Sequence, residues 1–518
     1  MVLLSATLVA GCGGGPAPDV PGPAAAEPEV GGLPTEHREG EFGPLPDVLD
    51  ADARSWVDET LASLTLPEAV GQLVIQWIDG AHLATSGPEF EQLRGWTEEV
   101  GIGGFYLSIG TPHAYAAKVN ELQRRARVPL LFVSDFEDGG PGMRLSRSYA
   151  LPSLLPQGGG TEFPPTMAFG AAGDERLARE YGRITGEEAR AVGIRLNFAP
   201  VLDVNSNPDN PVIATRSFGG DPELVARMGA AFVEGSRAVG VMATAKHFPG
   251  HGDTGVDSHL ALPSVDADRT RLDTLELVPF QRAIDVGVDA VMTAHVALPA
   301  VLGEGAPPAT LAPEVLTGLL REEMGFGGIL VTDALTMGAI SRTWGTSEAA
   351  VLALEAGADI LLSPGDVTGV VDAVVEAVRS GRVPESRVRR STRRILEAKA
   401  RTGLHRDRLV DVDRVDAVVG AAAHLALADT VAERSMVLVR DRRRAVPFRP
   451  GTRRVVSVTF TSDRDLPAGR AFDGALRAGR EGEGNEPLDV RSFRMTPSSS
   501  ASAWAVAGRA LGDADAVV

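Results

Sequence analysis

Eight short apolar runs recur along the middle of the chain, at 73–78, 104–108, 130–135, 196–204, 241–248, 290–296, 329–333 and 358–363. Most are near-continuous rather than alternating, which is the pattern of strands buried on both faces. Between them, 112–126, 174–192, 221–239, 269–286 and 348–356 carry apolar residues at helical spacing. Strand and helix in alternation predict an α/β fold with a parallel sheet. Two architectures meet that pattern, a (β/α)8 TIM-type barrel and a doubly wound sheet of six such units. Polar groups close several runs: Ser134-Asp135, Asp203, Lys246-His247, His295 and Asp333. The barrel accounts for these, because its active-site loops gather at the C-terminal strand ends.

Ordered sequence begins near Asp50, where Trp56, Val57, Leu61 and Leu64 keep helical spacing. A basic helical stretch at 385–403 is expected to close the barrel, which then spans 49–405. A connector at 406–430 follows, with a helix at 421–433. Apolar runs at 437–439 and 455–460 read as strands opening a second α/β unit, the start of an α/β sandwich domain at 431–518. The last residues, 514–518, read as a strand cut short, so the sequence is expected to be a piece of a longer chain. At the other end, 2–11 is an apolar run too short to span a bilayer, and 1–11 reads as a signal peptide. Residues 8–12 resemble a bacterial lipobox ending in Cys12, although no Lys or Arg precedes the apolar run. Lipid on Cys12, followed by a Pro/Gly/Ala-rich tether through residue 48, makes this an exported lipoprotein of the periplasm or cell envelope. No other run of about 18 apolar residues occurs, so membrane association is expected through the anchor alone.

Composition narrows the chemistry. The 518 residues carry a net charge of −19, which excludes a cationic nucleic-acid binder. One cysteine excludes a disulfide framework and a Cys-based zinc site. Lysine is nearly absent, occurring only as Lys118, Lys246 and Lys399. One of those three heads the densest polar segment, 246–259, reading KHFPGHGDTGVDSH, which also holds three of the nine histidines. A Gly/Pro-rich loop directly after a strand is where function concentrates. Three chemistries compete there. His247, His251, Asp253, Asp257 and His259 are metal-type ligands, but their spacing matches no standard pattern. The histidines also suit a structural role, capping strand ends. The third reading is acid/base work: Asp257 and His259 are two apart, so an extended backbone points both the same way, and a carboxylate on one imidazole nitrogen raises the basicity of the other.

The run K-H-F-P-G-H-G-D-T-x-x-D-S-H resembles the signature of glycoside hydrolase family 3, in its bacterial β-N-acetylglucosaminidase branch. The resemblance extends over about residues 50–460 and includes 197–204 (NFAPVLDV), 210–219 and 332–337 (TDALTM). It implies a barrel often followed by an α/β sandwich domain, with no metal and no cofactor. It implies roles residue by residue. Asp333 matches the nucleophile of a retaining enzyme, and His259 backed by Asp257 matches the acid/base. Lys246, His247, Arg216 and Asp135 match residues that bind sugar hydroxyls, and His295 is expected to line the pocket. The 135–144 segment departs from the family pattern by one extra residue, Asp138, so Arg144 is the matching arginine only if the loop absorbs it. Glu137 is expected to be the buried partner of a nearby arginine.

The resemblance implies removal of terminal β-N-acetylglucosamine from peptidoglycan fragments or chitooligosaccharides through a covalent glycosyl-Asp intermediate. Because a neutral imidazole does not repel an anion, phosphate can replace water, which leaves a phosphorylase as an alternative. A β-glucosidase-type member and a non-catalytic cell-wall-binding lipoprotein are the others. The last would need a degraded Asp333 or Asp257/His259 pair, and both are intact.

Overall fold

The computed structural model describes residues 42–150, 155–441, 446–448, 451–463, 468–478 and 488–518. The expected signal peptide, Cys12 and nearly all of the expected tether lie outside the described residues.

Each of the eight apolar runs contributes a strand to one parallel sheet: β1 Val74–Ile78, β2 Gly104–Leu107, β3 Leu131–Ser134, β4 Leu196–Asn197, β5 Met242–Phe248, β6 Ala290–Thr293, β7 Ile329–Val331 and β8 Leu361–Leu362. The strands pair in chain order, and β8 returns to β1 through Val74↔Leu361 and Ile75↔Leu362. A bridge between Val331 and Ile360 joins the remaining edges. The result is the (β/α)8 barrel rather than the open sheet. All residues of β2, β3 and β5 are buried, because side chains meet the barrel interior on one face and the helix layer on the other.

The helices begin where short polar side chains can receive the free amides of the first turn. Thr111 caps Pro112–Arg125, Asp174 caps Glu175–Ala191 and Asp221 caps Pro222–Ala238. The 269–286 stretch, expected as one helix, is broken into Arg269–Arg271, a π-helical turn Leu272–Glu276 and Leu277–Asp285. Helix Glu385–Arg401 packs against the first turns of the barrel: Thr392 donates to Ala69 O at 3.0 Å and Lys399 Nζ to Gln72 Oε1 at 2.7 Å. At the N-terminal strand ends, buried Asp359 meets Arg321 at 2.6 Å and Arg394 at 3.1 Å, and Asp289 meets Arg237 and Arg401. These pairs brace the face opposite the loops.

Segment 412–434 is long and apolar enough to cross a bilayer by length and composition. It is not one unbroken helix. Gly420 takes left-handed backbone before helix Ala422–Arg434, and His424 is buried between Glu187 and Glu188. Contacts divide the chain between Ala432 and Glu433. The second unit has a three-stranded parallel sheet with Arg454–Phe460 at its centre, Asp489–Met495 on one side and Ala516–Val517 on the other. Helices Arg470–Ala478 and Ala501–Gly512 accompany it. The strand expected at 437–439 is not formed. Val437 and Val439 are exposed, and no neighbouring strand is present among the described residues to take their backbone groups.

Candidate active site

The C-terminal strand ends surround a cavity of about 700 Å³. Every strand except β1 supplies a wall residue, either from itself or from the loop after it. Tyr106 comes from β2, Phe198 follows β4, Met292 lies in β6 and Leu362 in β8. Asp135, Arg144, Arg216, Lys246, His247, His259 and Asp333 all face this one space.

Its floor is a charge network. Lys246 Nζ lies 2.8 Å from Asp135 Oδ1 and also pairs with Glu137. Arg216 grips Glu137 with both ends of its fork, at 2.7 and 3.1 Å. Arg144 reaches Asp135 Oδ2 at 3.2 Å and the Tyr106 hydroxyl at 3.0 Å, and that hydroxyl donates to Asp135. The loop therefore absorbs the extra residue Asp138 and still brings Arg144 to Asp135. Burial would push the Glu137 carboxyl up, but Arg216 and Lys246 outweigh it and hold the group ionised. Burial likewise disfavours the charge on Lys246, and Asp135 and Glu137 reverse that. Glu137 thus takes the role of buried partner, to a lysine as well as an arginine. It holds two cations steady at the wall of the cavity.

A second network organises the histidine loop. Asp203 is fully buried; one oxygen accepts from His247 Nδ1 at 2.7 Å and the other from the His251 amide at 2.6 Å. Burial of Asp203 is outweighed by the charge and hydrogen bond of His247, which keep the carboxyl below the usual range. His247 is thereby oriented with its other nitrogen free for the cavity. His251 Nε2 meets Ser258 Oγ at 3.0 Å, and Thr254 Oγ1 meets Nδ1 at 2.6 Å, so buried side chains hold the loop just before its tip. At that tip His259 Nδ1 lies 2.8 Å from Asp257 Oδ1, and the same oxygen accepts the His259 amide at 2.9 Å. The carboxylate engages Nδ1 and so orients the ring, with Nε2 on its far side. Asp257 sits behind His259 and is not itself part of the wall. Gathered this way, the histidines and aspartates form no metal ligand set among the described residues.

Asp333 follows β7, and its Oδ1 accepts the Ala334 amide at 2.7 Å. Burial acts against its ionisation; the positive charge available from His295 and His247, the Ala334 amide and Lys246 outweigh it, and the carboxyl is held below its ordinary value. The backbone ties this segment to the histidine loop: Gly338 N donates to His259 O at 3.1 Å and Ala339 N to Ser258 O at 3.2 Å. A carboxylate oxygen and an imidazole nitrogen thus face one space from two segments that are clamped together.

His295 differs from its expected place. It is fully buried under the wall, with Nδ1 2.8 Å from Thr310 Oγ1 and Nε2 3.1 Å from Ala334 O. Burial pushes its imidazole down, so it bears on the site by holding the Asp333 segment rather than by lining the cavity. Sequence reasoning did not single out Tyr106, which reads as an ordinary core aromatic inside an apolar run. It also left Asp203 as one polar strand end among several. A backbone signal marks the same region: the two described non-glycine residues with positive φ are Ala214 (39°), just before Arg216, and Ser363 (46°), just after Leu362.

Residues 111–398 match the model of the glycosyl hydrolase family 3 N terminal domain. A beta-N-acetylglucosaminidase/beta-glucosidase of Cellulomonas fimi is 33% identical over 413 residues, covering 78% of this chain and 69% of its own. The structure of a glycoside hydrolase family 3 beta-N-acetylglucosaminidase from Paenibacillus sp. str. FPU-7 is similar with a TM-score of 0.75 and 39% identity, over 88% of this chain and 84% of that one. A beta-glucoside phosphorylase structure has a TM-score of 0.76 at 26% identity, over 88% of this chain and 80% of its own. With an eight-stranded barrel, a polar cavity at its C-terminal end and matches of this extent, the chain belongs to glycosyl hydrolase family 3.

Proposed function

We propose that the protein is a retaining β-N-acetylglucosaminidase that releases the terminal sugar from β-linked oligosaccharides, peptidoglycan fragments first and chitin fragments second. The observation that carries this reading is the sharing of one cavity by ionised Asp333 and by His259, whose ring is set by Asp257. A retaining enzyme needs a nucleophile and an acid on opposite sides of one glycosidic bond. Asp333 attacks the anomeric carbon while protonated His259 gives its proton to the departing oxygen. The C–O bond to the leaving sugar breaks as the glycosyl-Asp333 bond forms. Neutral His259 then takes a proton from water, whose oxygen displaces Asp333 and releases the free sugar. Asp135, Lys246, Arg144, Arg216 and His247 hold the hydroxyl and acetamido groups.

Hydrolysis of a nitrophenyl N-acetyl-β-glucosaminide tests this. Asp333→Asn abolishes turnover. His259→Ala slows cleavage of an unactivated disaccharide by about 10²–10⁴-fold, the usual range for loss of a general acid. It slows the nitrophenyl substrate less, because that leaving group needs little protonation. A near wild-type rate of His259→Ala on the disaccharide sinks the assignment. Phosphorolysis is the second reading, favoured by an acid/base that adds no negative charge against an incoming anion. Its mark is sugar 1-phosphate in place of free sugar in phosphate buffer.

A further inference from the structure

We infer that Trp77 is the platform on which the leaving-group sugar stacks, an inference that rests on the glycosidase reading above. Strand β1 lies between β8 and β2, with Ile75 in register with Leu362 and Trp77 in register with Tyr106. Registered residues of neighbouring strands point to the same face, and residues two apart along a strand do so too. Leu362 and Tyr106 both line the cavity. Ile75 and Trp77 therefore stand on the inner face of the barrel, with Trp77 at the level of Tyr106 and one residue from the C-terminal end of β1. The opposite parity faces the helix layer. Ser134, of the same parity as Phe132 and Phe105, meets Tyr115 of helix Pro112–Arg125 at 3.4 Å.

Exposure sets Trp77 apart. It is 45% exposed, while Val74, Ile75, Gln76 and Ile78 are buried. Tyr106, one strand away, is already engaged: its hydroxyl is bonded to Asp135 and Arg144. Among the described residues the Trp77 indole has no such hydrogen bond, and by register it stands beside Tyr106 on the inner face of the barrel. The polar floor suits the hydroxyl groups of the terminal sugar. A flat apolar indole at the rim suits the C–H face of the next pyranose ring, which covers it from water. Strand β1 is also only two strands from β7, the strand leading to Asp333.

The test compares two substrates with the same terminal sugar, a β-linked N-acetylglucosamine disaccharide and N-acetylglucosaminyl fluoride, whose leaving group has no ring. The readout is the ratio of kcat/KM for disaccharide to fluoride. In Trp77→Ala this ratio falls about tenfold, the scale of losing an aromatic contact, with most of the change in KM for the disaccharide. Trp77→Tyr restores most of it. A half-exposed side chain can be truncated without unfolding the barrel, and an unchanged melting temperature checks this. An unchanged ratio in Trp77→Ala, or no recovery in Trp77→Tyr, overturns the inference while the function stands. A wild-type protein that cleaves neither substrate overturns the proposed function, and the platform with it.

Discussion

Glu137 shows how single side chains set this site. It is buried, and it neutralises Arg216 and Lys246 together. Removing it leaves two cations facing each other with only Asp135 between them. Glu137→Ala therefore costs about 3 kcal/mol of stability, the range for breaking a buried ion pair, measured as a shift in denaturant midpoint. It also weakens binding of the terminal sugar, since Lys246 and Arg216 lose their fixed positions. The sequence made the charged residues of the site visible, because Lys-His at a strand end and a Pro/Gly-rich loop with three histidines have no ready packing explanation. It hid Tyr106 and Trp77, since aromatic residues in apolar runs look alike whether they pack in the core or face a cavity. It also placed His295 on the wall. Whether a residue touches the cavity or lies one layer behind it depends on the barrel's curvature, which the spacing of residues does not encode.

Among the elements, the histidine loop and the segment after Asp333 act as one unit through their backbones. Gly338 is the contact point. A Cβ there would lie 2.8 Å from His259 O and 2.9 Å from Leu260 O, closer than real side chains come. Gly338→Ala should lift the loop and reduce cleavage of poor leaving groups by about tenfold or more, because misplacing an acid by an ångström costs on that order. Activated substrates should be affected less, and a leaving-group series checks it. Strand existence was legible in the sequence, but strand extent was not. The run 196–204 yields only Leu196–Asn197 as regular strand, after which the chain stays alongside β5 through an isolated parallel bridge at Val201 and Lys246 and a Leu202 N to Lys246 O bond at 2.6 Å, bringing Asp203 to the histidine loop. In the same way, the expected 269–286 helix breaks at a π-helical turn that buries Glu276. A Cβ at Gly250 would come within 2.8 Å of the Glu276 side chain, so loop and turn are fitted to each other. Such local departures answer to neighbours far along the chain.

In the whole molecule, the connector after the barrel is held by a titratable clasp. Glu188 is fully buried and accepts from Thr161, from the Gly420 amide and from His424 at 2.8 Å. Burial opposes the charge on His424, but hydrogen bonds to Glu187 and Glu188 outweigh it and raise the imidazole to about 9. A raised folded pKa stabilises the fold fully below the unfolded value of about 6.5, and that contribution is lost as pH climbs through 9. The stability difference between wild type and His424→Gln should therefore be largest at pH 6 and shrink toward pH 10 in denaturant titrations. The sequence by itself determined the alternation of strands and helices, the residue types available for chemistry and the family to which they point, because burial on both faces and polar strand ends leave a local record. The alternation alone left barrel and open sheet both possible, and the polar strand ends and the family resemblance favoured the barrel; the strand placed at 437–439 has no partner among the described residues. Closure depends on β8 meeting β1 across some 290 residues of chain, with Val74 against Leu361. The tertiary structure brings Asp333 and His259 to one cavity, since the distance between residues remote in sequence is set by packing and not by any pattern along the chain.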